Sequence, residues 1–349
     1  MIPKTMKAIV CDAPNHAEVR EMTTPVPQAG EVLVNVKKAL ICTWEQRIFT
    51  GNDMPLPYVP GHEISGVVAA IPEGTVTDLQ VGDKVVVKTY DSCGQCENCY
   101  RGMDNLCTGK KKTRVYDGIP GTGGFAQYIA IGSERVYKLP SGDKADLSVC
   151  AFAEPLACCI HSLEQADIQL GEDVVIVGGG IMGQLHNVLA KLRGARTILV
   201  EPDEGRREMA LMRGADVTIN PMETDAVEEI NKLTNGHGAH VCFFTVNSLK
   251  LAQDYIESIG KGCRLVYYGS FHPNGPIDMN PNNIHYSEKR ITGSYSPTAK
   301  AFWTASHLLG YNLVDVAPFI TESYPMDDCM TAFQRAMSME TYRVLIDLE

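Results

Sequence analysis

The stretch Val174-Val-Ile-Val-Gly178-Gly-Gly180-Ile-Met-Gly183-Gln-Leu185 decides the fold of the second half of the chain. An apolar run leads into a Gly-x-Gly-x-x-Gly turn, and a helical pattern follows. In such a turn Gly178 allows the sharp bend, Gly180 lets a pyrophosphate approach the backbone, and Gly183 lets the helix pack closely on the strand. The order of strand, glycine turn and helix predicts a dinucleotide-binding unit, and a glycine turn without a ligand is the alternative.

Glu201 ends the next predicted strand, at the place where an acidic residue binds the ribose hydroxyls of the cofactor. Its carboxylate would repel the 2′-phosphate of NADP, which favours NAD. Arg206 and Arg207 follow and could neutralise a phosphate, but covering the adenine or facing solvent is the preferred interpretation. The predicted cofactor-binding residues are Gly178, Gly180, Ile181, Met182, Gly183, Glu201, Arg206 and Thr245.

Strands and helices alternate from Asp173 onwards. The predicted strands are 173–177, 197–200, 217–219, 240–244, 263–268 and 290–293. The predicted helices are 181–192, 204–212, 226–234 and 249–259. This alternation predicts a doubly wound parallel sheet.

The first part of the chain has a different pattern, with short β-branched runs separated by glycine, proline and aspartate. These runs are 6–11, 31–37, 64–71 and 84–87, and they predict a compact, barrel-like antiparallel domain. After about residue 294 the alternation ends, and the helical stretches 299–309 and 327–337 precede a last strand, 343–347. We expect this tail to return to the first domain. The expected domains are therefore 1–155 with 294–349, and 156–293.

Four cysteines form the tight run Cys93-Gly-Gln-Cys96-Glu-Asn-Cys99, followed by Cys107. Cysteines so close in sequence rarely meet the geometry of a disulfide, whereas two-residue spacers let thiolates fold over one tetrahedral metal ion. The pattern predicts a zinc site, with an iron–sulfur cluster as the alternative. Because protein fills all four positions, the zinc would be structural and would hold a polar lobe at residues 91–109.

Charge and composition narrow the classes of partner and compartment. The formal net charge of −11 disfavours nucleic acid and anionic membrane surfaces as partners. No apolar run approaches the roughly 20 residues that span a bilayer. Seven further cysteines lie in apolar or mixed runs and are predicted to be reduced core residues, as expected in the cytoplasm: Cys11, Cys150, Cys158, Cys159, Cys242, Cys263 and Cys329.

A second metal site is predicted from three separated pieces: Cys42, Gly61-His62-Glu63 and Ala153-Glu154-Pro155. A cysteine, a histidine and one or two carboxylates form an open site with room for water or substrate, which is typical of a catalytic zinc. Each residue alone has a structural alternative: a core thiol, a turn histidine or an acid at a helix start. Their combination with a cofactor domain favours the metal.

These motifs, with Gly121-Thr-Gly-Gly-Phe-Ala-Gln-Tyr128 and Glu154-Pro-Leu-Ala157, resemble the zinc-dependent medium-chain dehydrogenase/reductase family. The resemblance covers essentially the whole chain and is closest to the polyol (sorbitol) dehydrogenase and threonine dehydrogenase branch.

The resemblance implies an α/β and β fold, a GroES-like catalytic domain with an inserted Rossmann domain. It also implies NAD-linked oxidation of a secondary alcohol to a ketone, about two zinc ions per chain, a small-molecule alcohol as substrate and a homo-oligomer, either dimer or tetramer. It places the catalytic zinc on Cys42, His62, Glu63 and Glu154, with Glu63 or Glu154 alternating with water.

One segment departs from the family pattern. The family usually has a hydroxyl two residues after the zinc-binding cysteine and often a histidine three residues further on, and together they carry the substrate proton outward. This chain has Cys42-Thr-Trp-Glu-Gln-Arg47, which puts Trp44 and Arg47 at those positions. Glu45 still fits the acidic position that orients the zinc-binding histidine. Trp44 could simply pack or could offer a face to a sugar or ring.

The proton must therefore go to another group, since indole has no acceptor and arginine does not titrate in the working range. Thr43 could present its hydroxyl if the loop shifts by one residue. Glu63 or Glu154 could act as base when substrate displaces it from zinc. We favour a carboxylate, because shifting the loop would also move Cys42.

The sequence thus predicts a dehydrogenase for a secondary alcohol of a polyol, cyclitol or sugar-like compound. A hydroxy amino acid or a simple alcohol is the alternative substrate. The alternative of another class is a zinc-stabilised NAD-binding protein without turnover.

Overall fold

The computed structural model describes residues 1–109 and 113–349 and contains two compact units. The first comprises Met1–Ala157 and Pro297–Glu349, and the second comprises Cys158–Ser296. The strands are β1 Thr5–Ala13, β2 His16–Thr23, β3 Glu31–Leu40, β4 Glu63–Ala70, β5 Lys84–Lys88, β6 Arg114–Tyr116, β7 Ile119–Gly121, β8 Tyr128–Gly132, β9 Val136–Lys138, β10 Asp173–Val177, β11 Arg196–Val200, β12 Val217–Ile219, β13 Ala239–Phe244, β14 Ile259–Tyr267, β15 Arg290–Gly293, β16 Ile320–Pro325 and β17 Arg343–Asp347.

The helices are α1 Thr43–Phe49, α2 Glu97–Tyr100, α3 Leu147–Cys150, α4 Ala153–Ala166, α5 Ile181–Leu192, α6 Glu204–Met212, α7 Ala226–Leu233, α8 Leu249–Asp254, α9 Pro281–Ser287, α10 Ala299–Gly310 and α11 Cys329–Ala336. Among the described residues, no helix is long and apolar enough to cross a membrane.

A seven-stranded sheet forms the centre of the first unit, in the order β16-β17-β3-β4-β5-β9, with β8 also paired to β3. All pairs are antiparallel except β16 with β17. The alternating apolar residues of these strands face a core in which Phe49 of α1 stacks on Phe333 of α11, with ring centroids 4.6 Å apart. This packing fixes α1, which follows directly after Cys42.

The second unit contains a six-stranded parallel sheet in the order β12-β11-β10-β13-β14-β15. The predicted doubly wound sheet is therefore confirmed. The strand order reverses beside β10, and the glycine turn leaves the carboxyl end of this strand. Ligands of such sheets bind at that point.

Two neighbouring predicted elements have the wrong bounds. The helix predicted at 249–259 ends at Asp254, and the strand predicted at 263–268 is β14, which begins at Ile259. Ala252, Tyr255, Ile256 and Ile259 have the spacing of one helical face, and all four are buried in the core of the second unit. Ile259 is nevertheless paired with Ala239 of β13, so pairing in the sheet overrides the helical pattern.

Candidate active site

Glu45 holds two separate segments of the site together. One oxygen, Oε2, accepts a hydrogen bond from the backbone N–H of Cys42 (3.2 Å). The other, Oε1, accepts from the backbone N–H of Gly61 (3.2 Å) and lies 2.5 Å from Nδ1 of His62. Glu45 is fully buried. A carboxylate at Nδ1 fixes the tautomer of His62 and leaves Nε2 available as a metal ligand.

The predicted ligands lie near this nitrogen. Ligand atoms of Cys42, His62 and Glu63 are all within 4.8 Å of one another. Glu154, the second residue of α4, is buried and has its Oε2 3.8 Å from Nε2 of His62. The structure thus brings together the four residues that the sequence selects for the catalytic metal. Thr43 begins α1 and is exposed.

Arg343 is a buried member of the site that sequence reasoning missed. Its guanidinium donates to both oxygens of Glu63, from Nε to Oε2 (2.9 Å) and from Nη2 to Oε1 (2.8 Å), and Nη2 also lies 3.6 Å from Sγ of Cys42. Although burial opposes its charge, Glu63 raises the pKa of Arg343. The only sequence signal is an arginine at the start of an otherwise apolar strand.

The electrostatics of this cluster fit a bound cation. Burial disfavours the imidazolium, but Glu45 and the other neighbours raise the pKa of His62 well above its usual value. Burial and the Glu63 carboxylate raise the pKa of the Cys42 thiol, so a proton stays on sulfur unless a metal replaces it. Arg343 balances one of the acidic groups around His62. A divalent ion would balance the others and would accept the sulfur, nitrogen and oxygen donors that zinc prefers.

Aromatic rings border the same histidine. The indole of Trp44 lies edge-on to His62 with centroids 5.4 Å apart, and it lies 6.2 Å from Tyr58 and 6.4 Å from Tyr90. Tyr90 is itself 5.5 Å from His62 and was not among the site residues predicted from the sequence. Trp44 is half-buried and packs against the core of the first unit. Arg47 pairs with Asp53 (Nε to Oδ2, 3.2 Å).

The four lobe cysteines also fit a metal ion. Their sulfur atoms lie within 4.8 Å of one another: Cys93, Cys96, Cys99 and Cys107. Backbone N–H donors at Cys99 and Thr108 lower the pKa of Cys96 to about 5, whereas burial and the neighbouring cysteines raise the pKa of Cys99 to about 12. The N–H of Cys93 likewise donates to Sγ of Cys107 (3.2 Å). Thiolates held this close repel one another unless a cation lies between them.

We expect Cys96→Ser to lower the zinc content from about two ions per chain to about one and to lower the Tm, because a missing thiolate weakens the closed site. Metal analysis and thermal unfolding measure both. Cys158→Ser is the matched control, because Cys158 lies outside both clusters. A fully metallated Cys96→Ser protein with unchanged Tm would contradict a structural lobe.

The glycine turn between β10 and α5 has the shape of a dinucleotide site. A Cβ at Gly183 would lie 1.8 Å from the carbonyl oxygen of Gly178, so only glycine allows this approach of helix to strand. A Cβ at Gly180 would meet nothing within 4 Å, which leaves open space at the start of α5 for a pyrophosphate. Ile181 and Met182 form the first turn of this helix and are half-buried.

Glu201 lies against this turn. Its Oε2 accepts from the backbone N–H of Gly179 (2.6 Å), and its Oε1 accepts from that of Asp203 (3.0 Å). Arg207 folds back onto the loop, with Nη1 donating to the carbonyl oxygens of Glu201 (3.0 Å) and Pro202 (2.6 Å). These carbonyl partners of Arg207 were not predicted from the sequence, and its contact with the adenine stays a prediction.

The two remaining predicted cofactor residues lie in helix α6 and after β13. Arg206 is in the first turn of α6, where its N–H donates to Oδ1 of Asp203 (2.9 Å). Thr245 follows β13 and donates its hydroxyl to the carbonyl oxygen of Val177 (2.7 Å). Its side chain therefore lies beside the beginning of the glycine turn.

Comparisons with known proteins agree with this architecture. Residues 28–141 match the alcohol dehydrogenase GroES-like domain, and residues 182–309 match the zinc-binding dehydrogenase domain. The chain is 34% identical over 310 residues to 2-dehydro-3-deoxy-L-galactonate 5-dehydrogenase of Pseudoalteromonas atlantica, which covers 88% of each chain. It is 31% identical over 356 residues to L-threonine 3-dehydrogenase of Pyrococcus horikoshii, which covers 99% of each.

A solved structure from Sinorhizobium meliloti 1021, described as a zinc-binding dehydrogenase bound to NADP, is also similar. It superposes with a TM-score of 0.90 at 26% identity and covers 99% of this chain and 100% of its own.

The chain therefore belongs to the zinc-dependent medium-chain dehydrogenase family. It is an oxidoreductase that acts on alcohol groups, in a family that uses zinc and NAD(P). The alternative of a binding protein without turnover is not supported. The predicted cytoplasmic location and homo-oligomer stay predictions.

Proposed function

We propose that the protein oxidises a secondary alcohol of a polyol, cyclitol or sugar-like compound to a ketone, with zinc and NAD. The observation that carries this proposal is the cluster of Cys42, His62 and Glu63, with Oε2 of Glu154 3.8 Å from Nε2 of His62 and Nδ1 of His62 held by Glu45. Cys42, His62 and one carboxylate, that of Glu154, would leave a coordination position for substrate, as catalytic zinc sites do. Zinc bound there would polarise the alcohol oxygen and lower its pKa, and NAD would accept the hydride.

The carboxylates of the site have different roles in this proposal. Both oxygens of Glu63 accept from Arg343, so the ion pair fixes Glu63 beside the cluster. Glu154 is the carboxylate directed at Nε2 of His62. If the alcohol oxygen displaced Glu154 from the metal, the freed carboxylate would take the hydroxyl proton. The C–H hydrogen would pass as hydride to bound NAD, so one alcohol would yield one ketone, one proton and one reduced nicotinamide.

Trp44 and Arg47 favour this route over a relay through α1. Indole donates but does not accept a hydrogen bond, and Arg47 is held in a pair with Asp53. Thr43 is exposed at the start of α1. A hydroxyl relay would need the loop to move, and Cys42 is anchored by its N–H bond to Glu45.

We propose NAD as the preferred cofactor because Glu201 is buried next to the glycine turn. Its carboxylate would accept hydrogen bonds from ribose hydroxyls and would repel a 2′-phosphate. One similar structure is described as bound to NADP and another as complexed with NADH, so the fold alone does not decide the cofactor. Selection therefore depends on individual residues such as Glu201.

We expect wild-type protein to have a higher kcat/KM with NAD than with NADP. Glu201→Ala should lower the ratio of these two values about tenfold, which corresponds to the loss of a hydrogen bond to a charged group. Glu204→Ala, in the exposed first turn of α6, is the matched control and should leave the ratio unchanged. Initial rates with both cofactors provide the measurement. Equal use of NAD and NADP by the wild type would contradict the assignment.

The substrate class rests on the aromatic border of the site and on the relatives. Trp44, Tyr58 and Tyr90 could stack on the C–H face of a polyhydroxylated chain, and the relative with 34% identity is named for 2-dehydro-3-deoxy-L-galactonate, a sugar-derived acid. A hydroxy amino acid is the second candidate, because another relative is an L-threonine 3-dehydrogenase.

A panel of polyols, cyclitols, sugar acids, L-threonine and simple alcohols, assayed by NADH formation, separates these candidates. We expect a polyol, cyclitol or sugar-derived alcohol to have the highest kcat/KM. A higher value for L-threonine would instead support the second candidate.

A further inference from the structure

Asp104 connects the cysteine lobe to two elements of the first unit. It begins a short 3-10 turn, Asp104–Leu106, between the third and fourth lobe cysteines. Its Oδ2 accepts from Nζ of Lys88, the last residue of β5, and its Oδ1 accepts from the backbone N–H of Ala299 (2.9 Å), the first residue of α10. One carboxylate thus neutralises a lysine and satisfies a helix N-terminus.

The turn that holds Asp104 depends on the lobe. The carbonyl oxygen of Asp104 accepts from the N–H of Cys107 (3.2 Å), and Asn98 donates its side-chain N–H to the carbonyl of Leu106 (2.6 Å). A metal ion bound by Cys99 and Cys107 would fix both ends of the segment. The position of the carboxylate therefore follows from the folding of the lobe.

Lys88 lies beside the catalytic cluster. Its side chain is 3% exposed, and Lys88 is the direct cross-strand partner of Glu63. Directly opposed residues of antiparallel strands point to the same face of the sheet. The chain continues from Lys88 through buried Thr89 to Tyr90, whose ring is 5.5 Å from His62.

A buried ammonium without its carboxylate is strongly unfavourable and must find another anion or water. Glu63 is the acidic residue across the strand from Lys88. If Lys88 turned towards Glu63, it would compete with Arg343 for this carboxylate. Glu63 directly follows His62 in the chain, so its displacement would disturb the metal site. The end of β5, including Tyr90, would move with it.

We propose that Asp104 is a positioning residue that couples the folded cysteine lobe to the catalytic metal site through Lys88. The proposal rests on the proposed function of Cys42, His62 and Glu154. It assigns the lobe a role in turnover as well as in stability. Asp104 itself touches neither substrate nor cofactor in this assignment.

Asp104→Asn tests the coupling, because asparagine keeps an acceptor for Ala299 but removes the charge that Lys88 requires. With about two zinc ions per chain retained, we expect kcat/KM for the alcohol to fall about tenfold while KM for NAD stays unchanged. We also expect faster hydrogen exchange in residues 84–92. The matched control is Glu97→Gln, which removes a charge from the same lobe at a side chain that is 84% exposed.

The double variant Lys88→Met/Asp104→Asn separates the ion pair from simple lobe damage. It leaves no uncompensated ion and keeps an acceptor for Ala299, so we expect kcat/KM to return to within about threefold of the wild type. Lys88→Met alone should also be mild, because Asp104 keeps its bond to Ala299.

Any of three results would overturn the proposal. Asp104→Asn could have the same kcat/KM and hydrogen exchange as Glu97→Gln, or the double variant could have a kcat/KM as low as that of Asp104→Asn. The third is a rise in KM for NAD that accompanies the fall in kcat/KM of Asp104→Asn. Failure of the proposed function would be visible separately, as wild-type turnover in His62→Ala.

Discussion

Glu154→Gln is expected to lower kcat about 100-fold, the usual worth of a general base, with zinc still bound. Glutamine has the size of glutamate and keeps an oxygen that can bind zinc, at the position 3.8 Å from Nε2 of His62. Its amide cannot accept the proton. Single-turnover rates and zinc content must be measured on the same sample, since a lost ligand has the same effect as a lost base.

Thr43→Val is the matched control for the proton route. The exposed hydroxyl of Thr43 is the alternative acceptor, and its removal should leave most of kcat. If Thr43→Val loses turnover with zinc retained while Glu154→Gln remains active, the proton leaves through the hydroxyl and the role of Glu154 is wrong.

Arg343→Met is expected to lower the free energy of unfolding of the zinc-loaded protein by about 3–5 kcal/mol, the cost of breaking a buried ion pair from one side. Both guanidinium bonds to Glu63 are lost, and Glu63 is fully buried. Urea unfolding at a fixed zinc concentration provides the measurement.

Glu63→Gln/Arg343→Met is the informative companion, because it leaves neither charge unpaired and should be less destabilising than Arg343→Met alone. An Arg343→Met variant with the wild-type urea midpoint would show that the ion pair between Arg343 and Glu63 contributes nothing to the free energy of unfolding. A double variant that is less stable than the single one would also contradict this account.

The second unit could be predicted almost completely from sequence, because buried parallel strands are continuous apolar runs and glycine turns have fixed spacing. The exceptions are residues 255–259, where the helical spacing of buried residues continues into a strand, and helix α9, which was not predicted. In the first unit, six strands were not predicted: β2, β6, β7, β8, β9 and β16. They are short or half-exposed strands without a continuous apolar run, and β8, β9 and β16 pair with strands distant in sequence or with an edge of the sheet.

The sequence predicted which residues could bind the catalytic metal, but it did not predict the hydrogen bonds and ion pairs that hold them in place. Motifs selected Cys42, His62 and Glu154 because metal ligands have recognisable chemistry. Arg343 was missed because its contact with Glu63 joins residues 280 positions apart, and no local pattern reports such a contact. Likewise, no local pattern singles out Asp104, because its bond to buried Lys88 joins residues 16 positions apart.

The zinc content of wild-type and His62→Ala protein, measured together with NADH formation, tests the central claim most directly. We expect about two zinc ions per chain in the wild type and about one in His62→Ala, because Nε2 of His62 is a ligand of the catalytic ion and the lobe retains its own. Alcohol oxidation should be lost with the second ion. Equal zinc content and undiminished turnover in His62→Ala would contradict a catalytic zinc at Cys42, His62 and Glu154.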